Sequence, residues 1–327
     1  MSPQLCGVLL LDKPVGLSSN SALQRVRRLL RADKAGHVGS LDPLATGMLP
    51  ICLGEATKVA GEILSGRKRY RFTVQLGART STGDTEGEIV ETAAVPALDR
   101  SLLEARLQGF VGSQDQVPPM YSAIKRGGQP LYKLARAGLE VEREPRRIEI
   151  FQLAAVALAA RGQQPDPPAV QPDPPAVQPD ASTQQARQPN AGTLELEALC
   201  SKGTYIRTLA EDIARALGTC GHVTALRRLY VEPFQDEPMQ TLDTVAAAAT
   251  PDPVGALRIL PADWPLGHLP AVPLDDLATT RILHGQTVDG GRVPGTVRLY
   301  DNAGRFLGIG EADGRGAVRP RRLFVRA

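Results

Sequence analysis

The stretch Gly36-His37-Val38-Gly39-Ser40-Leu41-Asp42-Pro43-Leu44-Ala45-Thr46-Gly47-Met48-Leu49-Pro50 constrains this chain more than any other. Its three glycines and two prolines exclude a helix interior, and its apolar residues do not alternate as a half-buried strand requires. It reads as a loop of definite shape. Asp42 precedes Pro43 and is steered from helical angles into an extended backbone. Leu41, Leu44, Met48 and Leu49 are placed to anchor the loop on a core. A carboxylate on a rigid, apolar-anchored loop suits a nucleophile or an electrostatic stabiliser. Taken alone, Asp42 reads more simply as a turn organiser, because Asp bonds its own backbone in turns.

Around that stretch the pattern is mixed. Val8 to Leu11 reads as a buried strand ended by the Asp12-Lys13-Pro14-Val15-Gly16 turn. Ser18, Ser19 or Asn20 caps a helix to about Leu30, with Leu23, Val26, Leu29 and Leu30 on one stripe and Arg25, Arg28 and Arg31 off it. That basic face suits phosphate contact or simple solvation. A second helix runs from Glu55 to Leu64. Tyr70, Phe72, Val74 and Leu76 alternate with polar residues, which makes a strand and, on pattern, makes Tyr70 a core residue. Residues 77–87 read as a polar loop, Asp99 to Gly109 as a capped helix, 116–125 as extended, and Pro130 to Ala137 as a helix. Ile148 to Leu158 and Thr193 to Cys200 read as strands. Between them, 163–192 is a proline-rich, low-complexity insert with nothing to bury, expected to be disordered.

Ile206, Leu209, Ile213 and Leu217 make an amphipathic helix over 204–217, followed by a basic strand from His222 to Tyr230. Arg207 lies off the stripe near the positive end of that helix, where a cation is unfavourable. An i,i+4 pair with Glu211 is its simplest role, and a buried anion, Asp42 foremost, would justify it better. Residues 246–267 read as a linker. From Leu274 onward, short strands broken by Asp301-Asn302-Ala303-Gly304 and Asp313-Gly314 predict a small β-barrel-like module.

Net charge is only +3, but Arg25 to Lys34, Arg67 to Arg71, Arg143 to Arg147 and Arg319 to Arg326 are basic clusters, as a polyanion partner would require. The four cysteines lack CxxC spacing and no histidine pair accompanies them, so neither zinc nor a disulfide framework is expected. No apolar run approaches a membrane span and no cleavable leader is evident, which predicts a soluble, cytoplasmic protein. There is no P-loop, no dinucleotide GxGxxG and no HExxH.

Continued through Ile51-Cys52-Leu53-Gly54-Glu55-Ala56-Thr57-Lys58, the opening stretch resembles the signature of the bacterial tRNA pseudouridine-55 synthases, the TruB family. The likeness recurs in order at Gly7 to Pro14, at Lys68-Arg69-Tyr70 and at Cys200 to Thr208, and covers nearly the whole chain except the insert. It implies an α+β pseudouridine synthase fold with a mixed, mainly antiparallel central sheet flanked by helices. The catalytic domain would span 1–245, and 268–327 would form a PUA-like RNA-binding domain. It implies that a uridine in the tRNA T-loop, at position 55, becomes pseudouridine without cofactor or metal, through a base flipped from its stack. Asp42 would be the essential carboxylate, attacking C1′ or stabilising charge while C2′ loses a proton to give a glycal. Arg207 would keep it ionised, and Tyr70 would stack on the uracil and assist proton transfer.

By the same resemblance Tyr205 and Leu226 would line the pocket around base and ribose, and His37 would stack within the RNA. On its residues alone His37 reads equally as a turn residue. Lys13 would be a structural, backbone-contacting position at the substrate side. The tRNA stem-loop would be the partner of a monomer with no obligate protein partner. A tRNA-folding chaperone is a plausible additional role. A two-carboxylate glycosidase is disfavoured, since no second acid matches Asp42 in context.

Overall fold

The computed structural model describes residues 5–122, 124–159, 192–249, 257–290 and 292–324. The insert expected over 163–192 therefore lies outside the described residues except for Gly192, as does the middle of the 246–267 linker. The chain divides into two units, one of Met1–Lys68 with Arg227–Ala327 and one of Arg69–Leu226.

In the first unit, β1 (Gly7–Lys13) is the expected buried strand, with Val8 to Leu11 all but inaccessible. Ser18 caps α1 (Ser19–Leu29) by accepting a bond from Ser21 N at 3.0 Å. Ala22, Leu23, Val26 and Leu30 turn inward and Arg25, Arg28 and Arg31 remain exposed. The loop reading of residues 36–50 needs correction. Only its centre is loop, because β2 (Ala35–His37) and β3 (Thr46–Leu53) occupy its two ends and pair antiparallel, His37 opposite Ile51.

β3 shows no alternation because seven of its eight residues are buried, on both faces of the sheet. It also pairs antiparallel along all of β1. Pro50 is tolerated because N–H and C=O of one residue point to the same side of an antiparallel strand. Its carbonyl accepts from Val38 N at 2.9 Å, so the missing donor faces the side where β2 has already ended. A 3₁₀ turn over Gly54–Val59 then leads into α2 (Ala60–Ser65).

The second unit starts with β4 (Lys68–Leu76), whose burial alternates as predicted, with Tyr70, Phe72, Val74 and Leu76 inside. Residues 77–87 are less of a loop than expected, since β5 (Ala78–Thr80) pairs with β6 (Ile89–Thr92). Asp99 caps α3 (Arg100–Gln108), and β7 (Gly112–Gln116) follows. β8 (Lys125–Arg126) and β9 (Gln129–Pro130) make a short ribbon before α4 (Leu131–Arg136). β10 (Arg146–Ala159) and β11 (Thr193–Cys200) pair antiparallel, and α5 (Ile206–Ala216) buries the predicted stripe. Strand order in this unit is β12–β4–β11–β10–β7, where β12 (Gly221–Val231) starts here and ends in the first unit. There it pairs parallel with β3, Arg227 opposite Thr46 and Arg228 opposite Gly47.

After α6 (Leu242–Ala247), the C-terminal part forms its own sheet in the order β13–β15–β16–β17–β14: β13 (Ala271–Pro273), β14 (Val288–Asp289), β15 (Gly295–Tyr300), β16 (Phe306–Ala312) and β17 (Ala317–Leu323). Val272, Ile282, Leu299, Leu307 and Val318 lie in its core. The sequence reading missed α7 (Asp276–Leu283), which Asp275 caps by accepting from Ala278 N at 2.7 Å. The sheet rests on the 3₁₀ turn and α2: Lys58 Nζ donates to Leu323 O at 2.7 Å, and Phe306 and Phe324 pack with Val59 and Leu266. The architecture is α+β, a mixed and mainly antiparallel sheet with helices plus a small C-terminal β module, as the sequence predicted.

Candidate active site

The residues singled out in the sequence divide between the units: Lys13, His37 and Asp42 in the first, Tyr70, Tyr205, Arg207 and Leu226 in the second. Asp42 is half-buried in the loop between β2 and β3. Its neighbours are fixed from both sides. On one, the Ser19 hydroxyl accepts from Leu41 N at 2.7 Å and donates to Leu41 O at 3.0 Å. On the other, Pro43 O accepts from Gly16 N at 2.8 Å and from Lys13 Nζ at 3.4 Å.

Lys13 is fully buried and also donates to Leu17 O at 2.7 Å and Pro14 O at 2.8 Å, so its ammonium gathers carbonyls beneath the loop. Leu41, Met48 and Leu49 are buried as anchors, whereas Leu44 is only half-buried. Ser19→Ala removes both bonds to Leu41 from a site only 4% exposed. It should lower stability by about 2 kcal/mol in a urea titration, the cost of leaving a buried peptide unpaired.

His37, at the end of β2, has its Nδ1 buried with no hydrogen-bond partner among the described residues. Burial foremost, and the Arg228 charge second, push its pKa below the usual 6.5. The imidazole is therefore neutral at pH 7. Because the unfolded chain binds this proton more readily, the stability linked to His37 is complete above 6.5 and declines as pH falls through that value. An NMR titration of the imidazole should show its midpoint below 6.5.

In the second unit Arg207 sits in the first turn of α5 and is 4% exposed. Its guanidinium donates to Thr82 O and Tyr121 O, both at 2.7 Å, and Nη1 lies 3.4 Å from Asp84 Oδ2. Asp84 is thus a buried anion on this cation, and the sequence reading passed over it inside a polar loop. Its own carboxylate accepts from Thr82 Oγ1 at 2.5 Å and Glu86 N at 3.0 Å, so it is held before it holds Arg207. The available signal was the acid in Thr82-Gly83-Asp84-Thr85, a turn with more bonding capacity than a solvated loop needs. Glu211, one turn along α5, has its pKa raised, chiefly by burial.

Tyr205 occupies the N-cap of α5 without capping it by its side chain. Gln116, also missed, holds the backbone of that residue: its Oε1 accepts from Tyr205 N at 2.8 Å and its Nε2 donates to Tyr205 O at 3.1 Å. Tyr70 and Leu226 are each 8% exposed. The basic clusters differ in use. Arg69 and Arg71 face Glu197 on the neighbouring strand and Lys68 is buried on Leu64 O and Gly66 O, whereas Arg25, Arg28 and Arg31 make no ion pair among the described residues. Among the described residues, no group of His, Cys, Asp and Glu is arranged to hold a metal, and no helix is long and apolar enough to cross a membrane.

Solved structures agree on the fold. An H/ACA RNP bound to a substrate RNA containing 2′-deoxyuridine contains a chain with TM-score 0.66 and 21% identity, covering 98% of this chain and 85% of that one. A Cbf5-Nop10-Gar1 complex contains another at 0.64 and 22%, covering 98% and 84%. Residues 27–166 match the TruB family pseudouridylate synthase N-terminal domain, 207–264 the tRNA pseudouridylate synthase B C-terminal domain, and 270–324 the pseudouridine synthase II TruB C-terminal domain. Chromohalobacter salexigens tRNA pseudouridine synthase B is 46% identical over 98% of this chain and 95% of the relative. The Stutzerimonas stutzeri protein of the same name is 47% identical over 97% and 95%. The chain belongs to the TruB family of pseudouridylate synthases.

Proposed function

We propose that this chain converts a uridine in the T-loop of tRNA, at position 55, to pseudouridine. The observation that carries the reading is the Asp42 loop: an acid whose neighbouring peptides are bonded by buried groups on both sides, in a chain of this family. Asp42 acts at the ribose, by attack on C1′ or by stabilising charge while C2′ is deprotonated. The uracil then turns and rejoins through C5. Arg207, held by Asp84, supplies the cation that keeps the Asp42 carboxylate ionised. Tyr70 stacks on the uracil and assists proton transfer at C2′, Tyr205 and Leu226 line the pocket, and His37 stacks in the RNA where the base has left.

Flipping the uridine costs a few kcal/mol of stacking, repaid by contacts to the shape and phosphates of the stem-loop. The exposed Arg25, Arg28 and Arg31 face is suited to that contact, with the C-terminal module as a second RNA surface. We place the reaction in the cytoplasm, catalysed by a monomer that also assists tRNA folding while it holds the opened loop. Since the new glycosidic bond forms at C5, the C5 hydrogen passes to solvent. Unmodified tRNA carrying tritium at uridine C5 should release one equivalent per molecule, and none once the T-loop uridine is replaced by cytidine. Release that survives that replacement contradicts the assignment.

A further inference from the structure

We propose that Arg228 is a positioning residue for the isomerisation, its side chain clamping the two arms of the Asp42 loop to each other. Arg228 is 1% exposed and lies on β12 opposite Gly47 of β3. Nε donates to Met48 O at 2.7 Å, on the arm that leaves the loop. Nη2 donates to Gly39 O at 2.8 Å and to Val38 O at 3.5 Å, on the arm that enters it. One planar group therefore fixes the separation of the arms between which Asp42 is carried, while Ser19 and Lys13 fix the peptides next to it.

One glycine is shaped to the guanidinium and a second to the strand pairing that carries it. Gly39 has φ +70°, and a Cβ there would lie 3.1 Å from Arg228 Nη1; at Gly47, φ +97°, a Cβ would meet Arg228 O at 2.1 Å. A buried guanidinium is costly to desolvate, and an apolar side chain would let β12 pair with β3 at no such cost. What the arginine adds is a rigid fork of donors that reaches both arms at once.

The proposal rests on the isomerase reading and is tested by kcat and KM for pseudouridine formation on a tRNA transcript, with thermal unfolding alongside. The proteins are wild type, Arg228→Lys, Arg228→Met and Gly39→Ala. Lys keeps the charge but cannot bridge both arms, and Ala pushes the entering arm off the guanidinium from the other side. The expected result is a kcat loss of about 100-fold, as displacement of a reacting group by about an ångström produces. KM should stay within about threefold, because RNA binding does not need the clamp. Wild-type kcat in any of these folded variants overturns the proposal, and so does a rise in KM with kcat unchanged. If neither Arg228 variant unfolds cooperatively, Gly39→Ala decides on the same criteria. Turnover by wild type in the same assay separates failure of the clamp from failure of the isomerase reading.

Discussion

Asp42→Asn is expected to bind unmodified tRNA within about threefold of wild type and to lose at least about 10⁴-fold in single-turnover rate, the scale of removing a covalent or charge-stabilising group. The substitution is close to isosteric and removes the charge. It keeps the backbone bonds that shape the loop, namely Leu41 to Ser19, Pro43 to Gly16 and Lys13, and Ala45 N to Asp42 O at 3.0 Å. Asn also organises turns as Asp does. A turn-organising Asp42 therefore predicts an active Asn variant, and a reacting carboxylate predicts an inert one that still binds. Rate and affinity must be measured on the same preparation, because an unfolded loop would lower both.

The second large effect is expected at Asp84. Both partners of its pair with Arg207 are almost fully buried, with side chains 3% and 5% exposed. Breaking a buried ion pair by removing one of its charges costs about 3–5 kcal/mol. Asp84→Asn can still accept from Thr82 and Glu86, so its loss falls mainly on the ion pair. It should lower the denaturation midpoint markedly and reduce turnover by about 100-fold, because Arg207 is no longer held in one orientation. The double variant Asp84→Leu with Arg207→Met discriminates between stability and catalysis. Replacing both charges with apolar groups should recover most of the lost stability, whereas turnover should not recover. Recovered turnover in that protein would show that the pair serves the fold alone.

These residues also mark where the sequence was legible. Local chemistry reads directly: Ser18 caps α1, Asp99 caps α3, β4 alternates because one face is covered, and Asp301 closes its turn by accepting from Ala303 N and Arg305 N. Asp42 stood out because its loop carries unusual backbone residues close together. The supports did not stand out. Ser19 meets Leu41 from the start of a helix, Gln116 meets Tyr205 from the end of β7, and Arg207 meets Thr82 from 125 residues away, contacts created by topology rather than by spacing.

β3 was misread for a related reason, since a strand covered on both faces has no period to detect. Arg228 read as part of a basic strand because charge is normally solvated, and only the fold shows it buried on carbonyls. α7 was hidden by its surroundings: its Asp cap and short apolar spacing were legible, but a segment rich in turns and strands drew the reading towards β structure.

The account is tested most directly by site-resolved detection of pseudouridine in an unmodified tRNA transcript after incubation with the wild-type protein. It predicts a single pseudouridine, at position 55 in the T-loop, with the other uridines unchanged. A transcript that is bound and folded by the protein yet carries no pseudouridine, or carries it only outside the T-loop, would contradict it.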